Sequence, residues 1–269
     1  MDEENLILKS WLQQKKVFID NLIISRKRPT KDSVHDLRVA VKKMRSYLRL
    51  NEEFTKEDWR PSFSGFKRLF RSFGRLRDLD MSLELTREAE RKWQLSLGQF
   101  KQYLATNRSL TRRWAKQAAR DFNEQQSIFD FRFNFFTGLS VADATEKILI
   151  LSKEKIKKTK RLKKHFDKHA HEIRKLLKDV LYWIKICPKE DSEKNIDGKA
   201  LDRLLKLLGA WQDQFIYRRT AIQYSKAFDV KGPEKDNIRA LLKNIGTDQH
   251  DLLSRSVGIL GKIENHKQP

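Results

Sequence analysis

Basic side chains recur at helical spacing between residues 33 and 51, and cations in such a row can bind an anion with several negative groups. The members of this basic stripe are His35, Arg38, Lys42, Arg45 and Arg49, with Lys43 beside them. From Leu37 to Asn51 there are five basic residues and no acidic one. Opposite charges at i,i+4 would stabilise this helix and like charges destabilise it, each by about 0.2–0.5 kcal/mol per pair. A stripe without such favourable pairs indicates an anionic partner rather than a merely solvated face.

The helix that must position the basic stripe also has an apolar stripe. Apolar residues repeat at the same spacing one position earlier, at Val34, Leu37, Val41, Met44 and Leu48. This pattern predicts a helix with one face in the core and one lined by cations. Ser33 and Asp36 have the spacing of a capping pair, which predicts His35 in the first turn, where free N–H groups favour an anion.

A second basic run precedes Asp78. Pro61 predicts the start of a helix whose apolar residues continue to Phe73. Between Asp58 and Asp78 all charged residues are basic, namely Arg60, Lys67, Arg68, Arg71, Arg75 and Arg77. We therefore predict a second helix with an anion-binding face.

The composition predicts an all-α protein. The 269 residues are 39% hydrophobic, which suffices for a real core, and they include only 10 Gly and 5 Pro. Leu, Lys, Arg, Glu and Gln are abundant, and these residues favour helices. The formal net charge of +22 should attract nucleic acid, polyphosphate or acidic membranes.

Cysteine usage and the N-terminus predict a cytoplasmic protein. The single cysteine, Cys187, excludes an internal disulfide and is interpreted as a small buried hydrophobe. The first twelve residues are acidic and lack the basic region of a secretory leader. There is no apolar run of 18 residues, so we predict no membrane insertion.

The chain is predicted to divide near residue 134. Phe129, Phe131, Phe133 and Phe135 alternate with polar residues, a strand-like period. In an otherwise helical protein we interpret this segment as an extended connector packed on the core. The predicted units are a first helical bundle over residues 1–134 and a second over residues 135–269.

The two halves share sequence blocks. His35–Arg38, followed by Lys42, matches His171–Arg174, followed by Lys178, at an offset of 136 residues. Phe66–Asp78 matches Leu201–Asp213 at an offset of 135. The matched pairs in this second block are Arg68 with Arg203, Arg71 with Lys206, Gly74 with Gly209, and Asp78 with Asp213. Two blocks in the same order predict a tandem duplication into two similar helical bundles that face each other. If a pseudo-twofold axis relates them, four basic helices surround one common groove, which a long polyanion could use and a small ligand would not need.

These motifs resemble the CHAD domain, the conserved histidine α-helical domain, over essentially the whole chain. The resemblance rests on the duplicated His-x-x-Arg helix and on the basic helix that ends in Gly-x-x-x-Asp. It implies two four-helix bundles around a positively charged groove, and binding of inorganic polyphosphate.

The resemblance implies site residues in both halves. Those carried over are His35, Arg38, Lys42, Arg45, Arg68, Arg71, Arg75, His171, Arg174, Lys178, Arg203 and Lys206. The basic runs themselves add Lys43 and Arg49, and Lys164 from a segment with seven basic residues between Lys155 and Lys164. The second half has Leu181 and Ala210 where the first has Arg45 and Arg75, so the first half is predicted to bind more strongly.

Metal and enzyme motifs are weak. His165 and His169 are spaced i,i+4, but the surrounding lysines disfavour a cation, so we predict no metal. No phosphate-binding loop, nucleophile elbow or His-Glu-x-x-His string occurs. Glu88, Glu90 and Lys92 spell the Glu-x-Glu-x-Lys string of the CYTH triphosphate tunnel enzymes, but they lie in a predicted helix rather than in a barrel strand. We predict no catalysis and no cofactor.

Nucleic acid is the main alternative partner, because charge alone does not distinguish it from polyphosphate. The basic stripes contain few amides or aromatic residues for reading or stacking bases. We therefore predict a protein that binds inorganic polyphosphate as a targeting or regulatory module and that associates with polyphosphate granules. Nucleic-acid binding remains the alternative, and hydrolysis of triphosphate or polyphosphate a lesser one.

Overall fold

The computed structural model describes residues 6–56, 58–59, 63, 65–123 and 139–263. Helices account for most of these residues, and no β-strand occurs among them. The helices are α1 Leu6–Lys27, α2 Lys31–Thr55, α3 Phe66–Trp93, α4 Gly98–Arg120, α5 Val141–Arg161, α6 Phe166–Ile184, α7 Lys189–Asn195, α8 Gly198–Ala227 and α9 Gly232–Leu260. A 3-10 turn at Leu162–His165 joins α5 to α6. The predicted all-α fold class is confirmed.

Two predictions lie outside the described residues. They are the helix start at Pro61, and the extended connector at Phe129–Phe135 with the boundary between residues 134 and 135. The division into residues 1–134 and 135–269 therefore stays a prediction.

Helix α2 begins earlier than the capping pattern predicts. Its N-cap is Thr30, whose Oγ1 accepts a hydrogen bond from Ser33 N at 3.1 Å, while Ser33 Oγ accepts one from Thr30 N at 3.0 Å. Ser33 is thus the third helical residue of a capping box, and the predicted cap at Ser33 with Asp36 is wrong. The reciprocal pair satisfies two backbone donors, which favours the earlier start. The apolar stripe is buried as predicted.

Three hydrophobic clusters form the core. The first joins α1, α2, the first half of α3 and the end of α4, with Phe18, Phe66 and Phe122 in mutual ring contact. The second joins α5, α6, the first half of α8 and the end of α9. The first cluster also includes Ile148 of α5 and Trp183 of α6, so it too joins the two halves of the chain.

The third cluster also takes side chains from both halves of the chain. It combines the second halves of α3 and α8 with the beginnings of α4 and α9. Within it, the Tyr217 hydroxyl of α8 donates a hydrogen bond to Thr86 Oγ1 of α3 at 3.0 Å. Helices α3 and α8 have 28 and 30 residues, or about 42 and 45 Å, so each extends beyond its own bundle. Their far ends bury apolar surface against each other, so the two halves share a core.

The two His-x-x-Arg helices, α2 and α6, pack against each other. Trp183 Nε1 of α6 donates to the backbone oxygen of Ser46 in α2 at 3.0 Å. In return, Ser46 Oγ donates to the Asp179 carboxylate at 2.8 Å. The basic stripes of the two halves therefore lie on adjoining helices. The duplication and its pseudo-twofold symmetry stay predictions.

Candidate functional site

Five half-buried cations from three helices lie together where the two halves of the chain meet. We call this group the central cationic cluster, and its members are Arg38 and Lys42 of α2, Arg77 of α3, and Arg174 and Lys178 of α6. Burial and, to a smaller extent, the charges of the other four cations together lower the pKa of Lys42 to about 7. Among the described residues, Lys42 therefore lies close to four other positive charges.

Arg38 is held at the contact between α2 and α3. Its Nη1 donates to the backbone oxygen of Phe70 at 3.0 Å, and its guanidinium lies 4.5 Å from the centroid of the Phe70 ring. A Cβ atom at Gly74 would lie only 2.7 Å from Arg38 Nη1, so the close approach requires glycine there. Burial lowers the pKa of Arg38 to about 10, although the charge of Asp78 acts in the opposite direction.

Arg77 connects the cluster to the second half of the chain. It donates two hydrogen bonds to the Asp213 carboxylate of α8, at 2.6 and 2.8 Å. Burial opposes the charged form of Arg77, but the hydrogen bond and charge of Asp213 outweigh it and raise the pKa. Asp78 also lies beside Arg77 and Arg38, and its pKa is raised by burial against the influence of both arginines.

The two aspartates that end the repeated Gly-x-x-x-Asp motif therefore both accept hydrogen bonds from Arg77. The sequence prediction of site residues missed Arg77, Asp78 and Asp213. The signal that could have found Arg77 is its spacing from Phe70 and Gly74, at i+7 and i+3, which places all three on one face of α3.

Arg174 and Lys178 supply the α6 side of the cluster. Burial lowers the pKa of both, and the charge of Arg174 lowers that of Lys178 further. Among the described residues, Arg174 Nε is buried without a hydrogen-bond partner. A buried donor without a partner costs free energy that an anionic ligand could recover.

Farther along α2, Arg45 and Arg49 have different surroundings. The Arg45 guanidinium lies 5.6 and 5.9 Å from the ring centroids of Phe63 and Phe70, and its Nε is buried without a partner within the described part of the chain. Burial lowers its pKa, as does the charge of Arg49. Arg49 itself is paired with the buried carboxylate of Asp179 in α6, through a hydrogen bond of 2.9 Å from Nε and a second one from Nη2. Its charge is therefore already neutralised.

The structure does not bring every predicted residue to the cluster. Arg68 pairs with Asp121 at the end of α4, at 2.9 Å. Its counterpart Arg203 lines a cavity between α8 and α9, and Lys206 pairs with Asp202 at 2.9 Å. Arg68 lies roughly 160° around α3 from Phe70, because each residue turns the helix by about 100°. The basic side chains of α3 therefore lie on two faces of the helix rather than on one.

The remaining predicted residues lie at the surface or beside the cluster. His35, Arg71, Arg75 and Lys164 are exposed. His171 is also exposed, and its Nδ1 lies 2.7 Å from Gln212 Oε1. Lys43 is half-buried, and its pKa is lowered by burial and by the charge of Lys185. The described residues contain no group of three or more His, Cys, Asp or Glu side chains that could hold a metal ion.

The fold and site define an all-helical protein with a cationic cluster at the contact between its two halves. The chain belongs to the CHAD domain family, whose model matches residues 18–221. This family is linked in general to polyphosphate binding.

A solved structure has a similar fold. It is the crystal structure of the CHAD domain from the plant Ricinus communis, with a TM-score of 0.67 and 16% sequence identity over 93% of this chain and 89% of that chain. At this identity the likeness concerns the fold alone. No curated protein matches the chain. Within the described part of the chain, no helix has the length and apolar character needed to cross a membrane.

Proposed function

We propose that the protein binds inorganic polyphosphate at the central cationic cluster, as a non-catalytic targeting or regulatory module. The observation that carries this proposal is the accumulation of half-buried cations around Lys42, whose pKa is lowered by burial and by their charges. Such mutual repulsion destabilises the fold unless an anion relieves it. Membership of a family linked to polyphosphate binding supports the same ligand.

The arrangement favours a chain of phosphates over a single phosphate. Arg38 and Arg45 lie seven residues apart on α2, or about 10 Å along the helix. Arg45 and Arg174 each have a buried Nε without a partner among the described residues, so donors point to more than one position. A polymer with regularly spaced charges can meet these positions in succession.

The cluster offers little for catalysis. Its two carboxylates, Asp78 and Asp213, are engaged by Arg77 through hydrogen bonds. A general base or a metal ligand would need one of them free of its arginine. We therefore propose a binding role, with targeting to polyphosphate granules as one use of it.

The test is binding of long-chain polyphosphate to the purified protein, with duplex DNA as competitor. Lys178→Met removes one cation of the cluster and should weaken polyphosphate binding about tenfold or more, the usual effect of losing a hydrogen bond to a charged group. Lys168→Met is the matched control, because Lys168 is exposed on the same helix. Equal losses from both variants would indicate diffuse attraction, and displacement by DNA at equal phosphate concentration would favour nucleic-acid binding.

A further inference from the structure

A second cationic site lies between the beginning of α8 and the end of α9. Two sets of residues line a cavity of about 510 Å³. The α8 side consists of Lys199, Arg203 and Leu207, and the other side consists of Arg255, Gly258 and Ile259 of α9 with Lys262 of the turn after it. A hydrogen bond of 2.8 Å from Asp197 N to Ile263 O joins the two segments at one end. The volume falls in the range of small-molecule clefts, which is about 300–1,000 Å³.

The cavity has an excess of positive charge. Lys199, Arg203 and Lys262 form no ion pair with any other described residue. The Asp197 carboxylate is used to cap α8, since it accepts a hydrogen bond from Ala200 N at 2.9 Å. Asp251 neutralises only Arg255, at 3.2 Å. Three cations thus remain available to one ligand.

At the corresponding position in the first half, the arginine is paired with a carboxylate. Arg68, which the sequence repeat matches with Arg203, is paired with Asp121 of α4. In the second half, Arg203 lines the cavity with Gly258 and Arg255, and it has no carboxylate partner among the described residues. The two matched arginines therefore differ in their surroundings.

One wall of the cavity is apolar and open. A Cβ atom at Gly258 would meet no atom within 4 Å, so the glycine leaves free space that a side chain could fill. Leu207 and Ile259 add apolar surface to the lining. The cations and this wall together fit a ligand with an anionic part and an apolar part.

We propose that this cavity binds a small ligand in which a diphosphate or triphosphate group is attached to an apolar or aromatic body. The phosphates would meet Lys199, Arg203 and Lys262, and the body would lie over Gly258 and the apolar wall. The site is separate from the central cationic cluster, because Arg203 precedes Asp213 by ten residues, or about 15 Å along α8.

The experiment measures ATP binding to the full chain by calorimetry in magnesium-free buffer, with inorganic triphosphate as the second probe. Gly258→Phe should fill the cavity and weaken ATP binding at least about tenfold, and Arg203→Gln should weaken it comparably. Gly246→Phe is the matched control, because Gly246 is on α9 twelve residues earlier and a Cβ there also meets no atom within 4 Å. Circular dichroism checks that each variant folds.

The outcomes distinguish this site from the central cationic cluster. ATP binding that is absent, that survives Gly258→Phe, or that Gly246→Phe removes equally would overturn the cavity site. Loss of ATP binding in Lys178→Met would assign ATP to the cluster instead. Triphosphate that binds as tightly as ATP would overturn the role of the apolar wall. Long-chain polyphosphate binding should be unchanged in Gly258→Phe, so the two proposals fail separately.

Discussion

Replacing Lys42 by methionine should stabilise the protein while weakening its binding of polyphosphate. Lys42 is half-buried among four other cations, and its pKa falls from 10.5 to about 7. At about 1.4 kcal/mol per pKa unit, a decrease of roughly 3.5 sets an upper limit near 5 kcal/mol on the cost of burying this charge. Because Lys42 retains some access to solvent, we expect a gain of about 2–4 kcal/mol for Lys42→Met at pH 6.

The effect has a defined pH dependence. Below pH 7 the ammonium is charged in both the folded and the unfolded chain, so the penalty is complete. Between pH 7 and 10.5 the unfolded chain binds this proton and the folded chain does not, so the free energy of unfolding rises with pH. The stabilisation by Lys42→Met should therefore be largest at pH 6 and should nearly vanish by pH 10.

Denaturant unfolding at pH 6, 8 and 10 measures this difference, with Lys168→Met as the control at an exposed position. Polyphosphate titrations of the same proteins measure the loss of binding. A Lys42→Met variant that is destabilised equally at every pH would show that the cation packs favourably where it is. That result would refute the inference that Lys42 is held against its own electrostatic cost for a ligand.

Three further predictions concern the cluster, its support and its ligand. Gly74→Ala should displace the Arg38 guanidinium, whose Nη1 would lie 2.7 Å from the new Cβ, and so weaken polyphosphate binding without changing any charge. Gly209→Ala should leave binding unchanged, because a Cβ there meets no atom within 4 Å. Calorimetric titration compares the two variants. Asp179→Ala should lower the free energy of unfolding by roughly 3–5 kcal/mol, because it leaves Arg49 half-buried without its carboxylate. Urea unfolding tests this, with Asp167→Ala as the comparison at an exposed acid of the same helix. Affinity should rise with polyphosphate length and then level off, and each added contact should increase the salt slope by about 0.7, as for single-stranded nucleic acid. Triphosphate that binds the cluster as tightly as the polymer, or is hydrolysed, would instead favour a compact catalytic pocket.

Helical periodicity in the sequence was enough to predict which side chains of α2 are buried and which lie on its basic face. Val34, Leu37 and Met44 are buried, while Arg38 and Lys42 lie on the neighbouring face, as the spacing on α2 predicted. The reason is that 3.6 residues per turn assign each side chain to a face of its own helix. Composition was likewise enough to predict the all-α class, because the fold class depends on helix propensities summed over long segments.

Only the tertiary structure decided which faces meet. Arg77 enters the cluster because α3 packs on α8, where Asp213 holds it. Arg68 has the same residue type and lies in the same basic run, yet it faces α4 and pairs with Asp121. A sequence pattern describes one helix at a time, whereas the pKa of Lys42 depends on charges from α3 and α6 brought close by packing. Charge density and burial, which distinguish a binding site from a solvated face, arise only when separate helices come together.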